Sequence, residues 1–75
     1  MDLKTYFFDL TPEGREAFAT KCGTSRGHMQ NVAYGYKKPS PALAVAVERE
    51  SKRKVTRQEM LPENFRAIWP ELKAA

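Results

Sequence analysis

The placement of helix-start and helix-stop residues constrains this chain more than any other feature. Asp2, Thr11, Ser25, Ser40 and Thr56 each stand just ahead of a helix-compatible run. Pro12, Gly23, Gly35, Pro41, Pro62 and Pro70 punctuate the chain between those runs. A side-chain oxygen at a start position satisfies an N–H of the first helical turn, which has no partner within the helix. Proline directly after Thr11 and Ser40 brings the φ of a first turn and no N–H to leave unused. Glycine after Cys22 and after Tyr34 permits a left-handed stop. Thr56-Arg57-Gln58-Glu59 has the pattern of a reciprocal capping box. No segment alternates apolar and polar residues over a strand's length, and only Lys54-Val55-Thr56 reads as extended. The expected class is all-α, a compact bundle of about five short helices.

Each run has an inner side. Leu3, Tyr6 and Phe7 share one face of the first helix. The second runs from Pro12 to about Cys22, with Gly14 awkwardly placed inside it at about 1 kcal/mol against Ala. Its presence predicts a regular helix starting nearer Arg15. Met29 and Val32 give the third a narrow apolar edge, and Leu43, Ala44 and Val47 do the same for the fourth. Arg49, Lys52, Arg53 and Lys54 gather at and beyond the end of the fourth, which suits the negative end of a helix dipole. Pro62 interrupts the turn that Thr56 opens. Asn64 is the expected cap of a last segment with Phe65, Ile68 and Trp69 on one side, closed by Pro70. Those three residues and Leu72 read either as core or as a partner surface.

The chain of 75 residues is expected to be a single domain. So small a domain buries only about 60% of its unfolded surface, so dimerisation would add useful apolar burial. The net charge of +4 is unevenly spread. Residues 1–20 set Lys4 and Arg15 against Asp2, Asp9, Glu13 and Glu16, a net of −2. Residues 21–57 set nine basic side chains against Glu48 and Glu50, a net of +7. Residues 58–75 set Arg66 and Lys73 against Glu59, Glu63 and Glu71, a net of −1. A basic middle between acidic ends suggests a polyanionic partner; a solvated basic face is the plain alternative. The run Arg49–Arg57 reads as a solvated helix end, with phosphate contact as the alternative.

Cys22 is the only cysteine, which excludes an internal disulfide and a cysteine-rich zinc site. It reads as a small buried apolar side chain. His28 is the only histidine and reads as a partly exposed packing residue. One His and one Cys do not make a nucleophile, base and orienting group, and no glycine-rich phosphate loop is present. No enzyme activity, cofactor or metal is expected. No apolar run approaches the roughly 20 residues of a membrane span, and Met1-Asp2-Leu3-Lys4 opens no signal peptide. A cytoplasmic, nucleoid-associated protein without a membrane partner is expected.

The stretch from about residue 15 to 35 has the frame of a helix-turn-helix. Two helices that cross steeply need a small residue at the crossing, and Ala19 is small. A tight turn needs positive φ, which Gly23 allows. Met29 and Val32 bury one edge of the second helix, about residues 26–34, and leave the other free. Arg26, Gly27, Gln30, Asn31 and Tyr34 follow the spacing of that free face. Arg suits guanine O6 and N7, while Gln and Asn suit adenine N6 and N7. Gly27 has no side chain to hold the helix away from the bases. Tyr36, Lys37 and Lys38 are candidate phosphate contacts, which fix register without reading sequence.

Leu3-Lys4-x-Tyr6, Ala19-x-x-Cys22-Gly23-x-Ser25, Tyr34-Gly35-Tyr36-Lys37-Lys38-Pro39-Ser40-Pro41-x-Leu43-Ala44 and Val55-Thr56-Arg57 resemble the YdaS-like proteins. These are Cro-type helix-turn-helix regulators of phages and prophages within the lambda-repressor-like class. The resemblance covers roughly residues 2–72 and is most distinctive in Gly35–Pro41. It implies a lambda-repressor-like helical bundle, often dimeric, that binds an operator in double-stranded DNA. Ser25, Arg26, Gly27, Gln30 and Asn31 then fall where the family meets the major groove. Tyr34, Tyr36, Lys37 and Lys38 fall where it meets backbone, and Arg15 is a further backbone candidate. Thr24 departs from the family by standing where an apolar residue is usual, and Gly27 removes a side chain from the reading face.

A Cro-type transcriptional repressor is the leading expectation. The alternative is an antitoxin with an autoregulatory DNA-binding domain, whose toxin partner would meet Phe65–Leu72. A third reading, a protein-interaction module without DNA binding, sits poorly with Arg26, Gln30, Asn31, Lys37 and Lys38. A homodimer on DNA is expected, with Phe65, Ile68, Trp69 and Leu72 as candidate contacts.

Overall fold

The computed structural model describes residues 1–71. Six helices follow one another: α1 (Leu3–Asp9), α2 (Pro12–Lys21), α3 (Arg26–Tyr34), α4 (Pro41–Glu50), α5 (Arg57–Met60) and α6 (Phe65–Ile68). The all-α expectation holds among the described residues. The count is six against an expected five or so: the short turn expected after Thr56 is α5, and the last segment expected after Asn64 is regular enough to be a helix of its own, α6.

Local chemistry explains the starts. Asp2, Thr11, Ser25, Ser40 and Thr56 all adopt extended backbone and accept a first-turn N–H with a side-chain oxygen. Thr56 and Glu59 form the full reciprocal box. Two starts differ from expectation. α2 is regular from Pro12, and Gly14 lies inside its first turn, donating its N–H to Thr11 Oγ1 at 3.0 Å. A Cβ at Gly14 would lie 3.1 Å from that same oxygen. The residue is therefore small because the cap is close, and it does not delay the helix. Asn64 makes no side-chain capping bond, so α6 begins without the cap expected of it.

Three helices end in one hydrogen-bond pattern. Gly23, Gly35 and Lys52 are left-handed, with φ of 80°, 86° and 56°. Each donates its N–H to the carbonyl three residues back, at Thr20, Val32 and Arg49. The next N–H in each case reaches five residues back, to Ala19, Asn31 and Glu48. These paired bonds satisfy carbonyls that the helix leaves open. Glycine takes the left-handed position after α2 and α3, whereas lysine takes it after α4.

Leu3, Phe7, Phe18, Ala19, Met29, Val32, Leu43, Val47 and Val55 form one buried cluster. Phe7, Ala19, Met29 and Val47 are wholly inaccessible, which fixes α1 to α4 around one centre. Burying a side chain the size of Phe7 or Met29 contributes about 1.5–3 kcal/mol. Tyr6 stays half-buried, its ring edge-on to Phe18 at 5.2 Å. Three core members lie outside the expected periodic set, among them Leu61 just after α5. Ala46 is buried on α4, and Val55 is wholly buried in the loop after it. Lys54–Thr56 pairs with no strand among the described residues. Instead Ser51, 2% exposed, accepts the Val55 N–H at 3.1 Å and ties the loop to the helix end.

Phe65 and Trp69 are half-buried and Ile68 is exposed; none of the three belongs to the central cluster. Leu72, the fourth candidate partner-surface residue, lies outside the described residues.

Candidate nucleic-acid interface

Helix α3 is held on one side and open on the other. Met29 and Val32 sink into the core, while Ser25, Arg26, Gly27, Asn31 and Tyr34 are exposed and Gln30 is half-buried. At 3.6 residues per turn, Arg26, Gly27, Gln30, Asn31 and Tyr34 fall within one arc of about 140°, opposite Met29 and Val32. Nothing lies within 4 Å of a Cβ built on Gly27, so that point of the edge is open space. Ser25 Oγ is engaged by the His28 N–H at 3.1 Å, which leaves its hydroxyl proton to donate. His28 itself is exposed, more so than the partly packed position expected of it. Arg26 Nε lies 3.5 Å from Glu16 on α2, an exposed ion pair across the turn between the two helices.

Beyond α3 the chain turns through Tyr36, Lys37 and Lys38, all exposed, before Ser40 caps α4. The Asn31 carbonyl accepts the N–H groups of Tyr36 and Lys37 at 2.9 and 3.3 Å. The basic turn is thus tied to the helix it follows. Tyr36 is 77% exposed and Tyr34 45%. Their rings are 5.8 Å apart, and Tyr34 in turn lies 5.1 Å from Phe8 on α1. Lys4 Nζ sits 5.5 Å from the Tyr34 ring centre, within cation–π range.

Lys4 and Phe8 were not among the sequence candidates. They lie four apart on α1, a spacing that puts them on one stripe. Only the packing of α1 on α3 reveals that this stripe meets Tyr34.

Arg15 has a structural duty. Its Nε donates to the Phe7 carbonyl at 3.3 Å and its Nη2 to the Phe8 carbonyl at 3.1 Å. The guanidinium also lies over the Phe8 ring at 5.1 Å. It therefore closes the C-terminal end of α1, where free carbonyls concentrate negative partial charge. Cys22 is half-buried rather than fully buried. Burial pushes its thiol up to about 11, with Glu50 adding to the rise and Arg49 opposing it. An unreactive thiol at neutral pH follows. Among the described residues no helix is long and apolar enough to cross a membrane.

Fold and surface together define a class: a small all-helical protein with one polar helix edge and one basic turn open to solvent. No family model matches the chain. A prophage transcriptional regulatory protein of Escherichia coli (strain K12) is 33% identical to it over 63 residues, covering 84% of this chain and 96% of that protein. The chain belongs to this family of prophage transcriptional regulatory proteins.

Proposed function

We propose that the chain is a Cro-type repressor of phage or prophage origin, of the YdaS-like kind, that binds operator DNA through α3. The observation that carries this reading is the open polar edge of α3. Arg26, Gln30 and Asn31 are side chains able to pair with base edges in the major groove. The edge opposite them is fixed in the core, so they can be presented in a set register. In this reading α2, the turn at Gly23 and α3 act as a helix-turn-helix.

Lys37 and Lys38, with the hydroxyls of Tyr34 and Tyr36, contact phosphates beside the groove. Lys4, braced on Tyr34, joins them. Arg15 contributes mainly by holding α1, since two of its donor groups already serve carbonyls. The protein acts as a two-fold dimer on DNA, so that two copies of α3 enter successive major grooves about 34–36 Å apart. Phe65, Ile68 and Trp69, which lie outside the central cluster, supply apolar surface for the second copy. Selection of bound sequences from a random duplex pool tests this reading. A two-fold symmetric consensus is the expected result, and recovery of no consensus would remove it.

A further inference from the structure

Helix α4 ends in a basic hollow that the α3 edge does not use. Val45, Glu48, Arg49, Lys52, Arg53 and Arg57 line an open cavity of about 430 Å³. Four cations face it against a single carboxylate. That carboxylate is already spent: Glu48 accepts from Arg57 Nε at 3.0 Å and from the Arg57 N–H at 3.1 Å. Arg49 pairs with Glu50 at 2.9 Å in an exposed contact. Among the described residues, Lys52 and Arg53 have no carboxylate partner.

The backbone under these two cations is unusual. Lys52 and Arg53 are the only non-glycine residues with positive φ among those described, at 56° and 67°. The same helix-ending bonds after α2 and α3 are made by glycine. A side chain in the left-handed region is strained, because its Cβ crowds the following carbonyl oxygen, and glycine escapes that strain. The loop is nonetheless pinned in place, by Ser51 bonding to Val55 on one side and by Glu48 bonding to Arg57 on the other. Two long cations are thereby held, at a cost glycine would avoid, at the rim of a hollow already lined by two arginines.

We propose that this hollow is a phosphate-binding site. Cations placed around one hollow suit the several oxygens of a phosphate, and arginine forks add bidentate geometry. The cavity lies in the size range of small-molecule sites, so it has room for a phosphate carried on an organic group. Val45 offers an apolar wall for that group. Helix α4 is ten residues long, or about 15 Å. Lys52 and Arg53 follow its C-terminal end, whereas the Lys37–Lys38 turn precedes its N-terminal end. A DNA backbone phosphate and a free nucleotide present the same chemistry and are the two possible sources. The site does not depend on the operator-binding reading.

Titration of the full chain with inorganic pyrophosphate, followed by amide chemical shifts, tests the proposal. Saturable shifts centred on residues 52–57 are expected. Affinity should fall about tenfold in K52A/R53A, and be unchanged in K37A/K38A. K52G guards against mere unfolding: glycine suits the left-handed position, so the melting temperature should hold or rise while pyrophosphate affinity falls. No saturable shift, shifts centred on Lys37 and Lys38, or wild-type affinity in K52G would overturn it. Repeating the titration with saturating duplex assigns the source. Displacement of pyrophosphate identifies a DNA phosphate, and retention identifies a free phosphate ligand. A chain that binds pyrophosphate here but no duplex would contradict the operator reading alone.

Discussion

Arg26 on α3 and Glu16 on α2 meet across the turn that joins their helices, with Nε 3.5 Å from Oε2. Both side chains are at least half exposed, at 50% and 63%. Such a pair contributes under about 1 kcal/mol to stability. It does, however, place a carboxylate beside a guanidinium proposed to face guanine. Glu16→Gln should leave the melting temperature almost unchanged and tighten operator binding several-fold, because Arg26 is released and a negative charge leaves the interface. Parallel melting and binding curves check this. Weaker binding by Glu16→Gln would mean that the carboxylate positions Arg26 rather than competing for it.

Arg15 separates structure from recognition. Its two bonds to α1 carbonyls and its place over Phe8 predict that Arg15→Ala destabilises the fold by about 1.5–3 kcal/mol. Denaturant unfolding measures the loss. An unchanged midpoint together with weakened DNA binding would show that the guanidinium serves phosphate and not the end of α1.

Much of this architecture is legible because it is local. The caps at Thr11, Ser25, Ser40 and Thr56, and the glycine stops at Gly23 and Gly35, depend only on near neighbours. The polar edge of α3 follows from helical period once Met29 and Val32 are taken as its buried side. Gly14 misleads because its smallness answers to Thr11 Oγ1, a contact that propensity does not contain. Val55 and Ser51 carry no periodic signal, since a loop buries them. Lys4 and Phe8 join the surface around Tyr34 only through the packing of α1 on α3. The left-handed backbone at Lys52 and Arg53 runs against what those residues favour, so no local rule could have placed it.

Acid should weaken the fold through two carboxylates. Asp2 lies below its ordinary 3.8, chiefly because its side chain accepts from Thr5. Glu59 lies below its ordinary 4.5: burial pushes it up, but bonds from the N-terminal ammonium and from Thr56 more than offset that. Carboxyls depressed in the folded state stabilise above their unfolded values, and that stability is lost as pH falls through the folded values. The melting temperature should therefore be nearly flat from neutrality to about pH 5 and decline below it. Asp2→Asn with Glu59→Gln should shrink the decline. An acid limb identical to that of the unaltered chain would exclude these two groups as its source.

Trp69 tests the proposed dimer. It is half-buried, lies outside the central cluster, and has the Arg57 guanidinium 5.3 Å from its ring. Trp69→Ala should thus cost only about 1–2 kcal/mol, well short of the 3–5 kcal/mol of a core aromatic. The variant should remain folded and lose its preference for two half-sites over one. A loss on the core scale, or an unaltered preference, would remove Trp69 from the interface.

The central claim is that α3 reads bases while the turn after it holds backbone. The most direct measurement is binding of four proteins, the unaltered chain, Gln30→Ala, Asn31→Ala and Lys37→Ala, to the selected duplex and its single-base variants over a range of salt. Gln30→Ala and Asn31→Ala should each lose about 1–3 kcal/mol on the preferred duplex and relax discrimination at one base pair. Lys37→Ala should weaken all duplexes alike and reduce the salt slope by about 0.9, the value for one phosphate. The reverse pattern, with Lys37→Ala altering sequence preference and Gln30→Ala and Asn31→Ala silent on every duplex, would contradict the account.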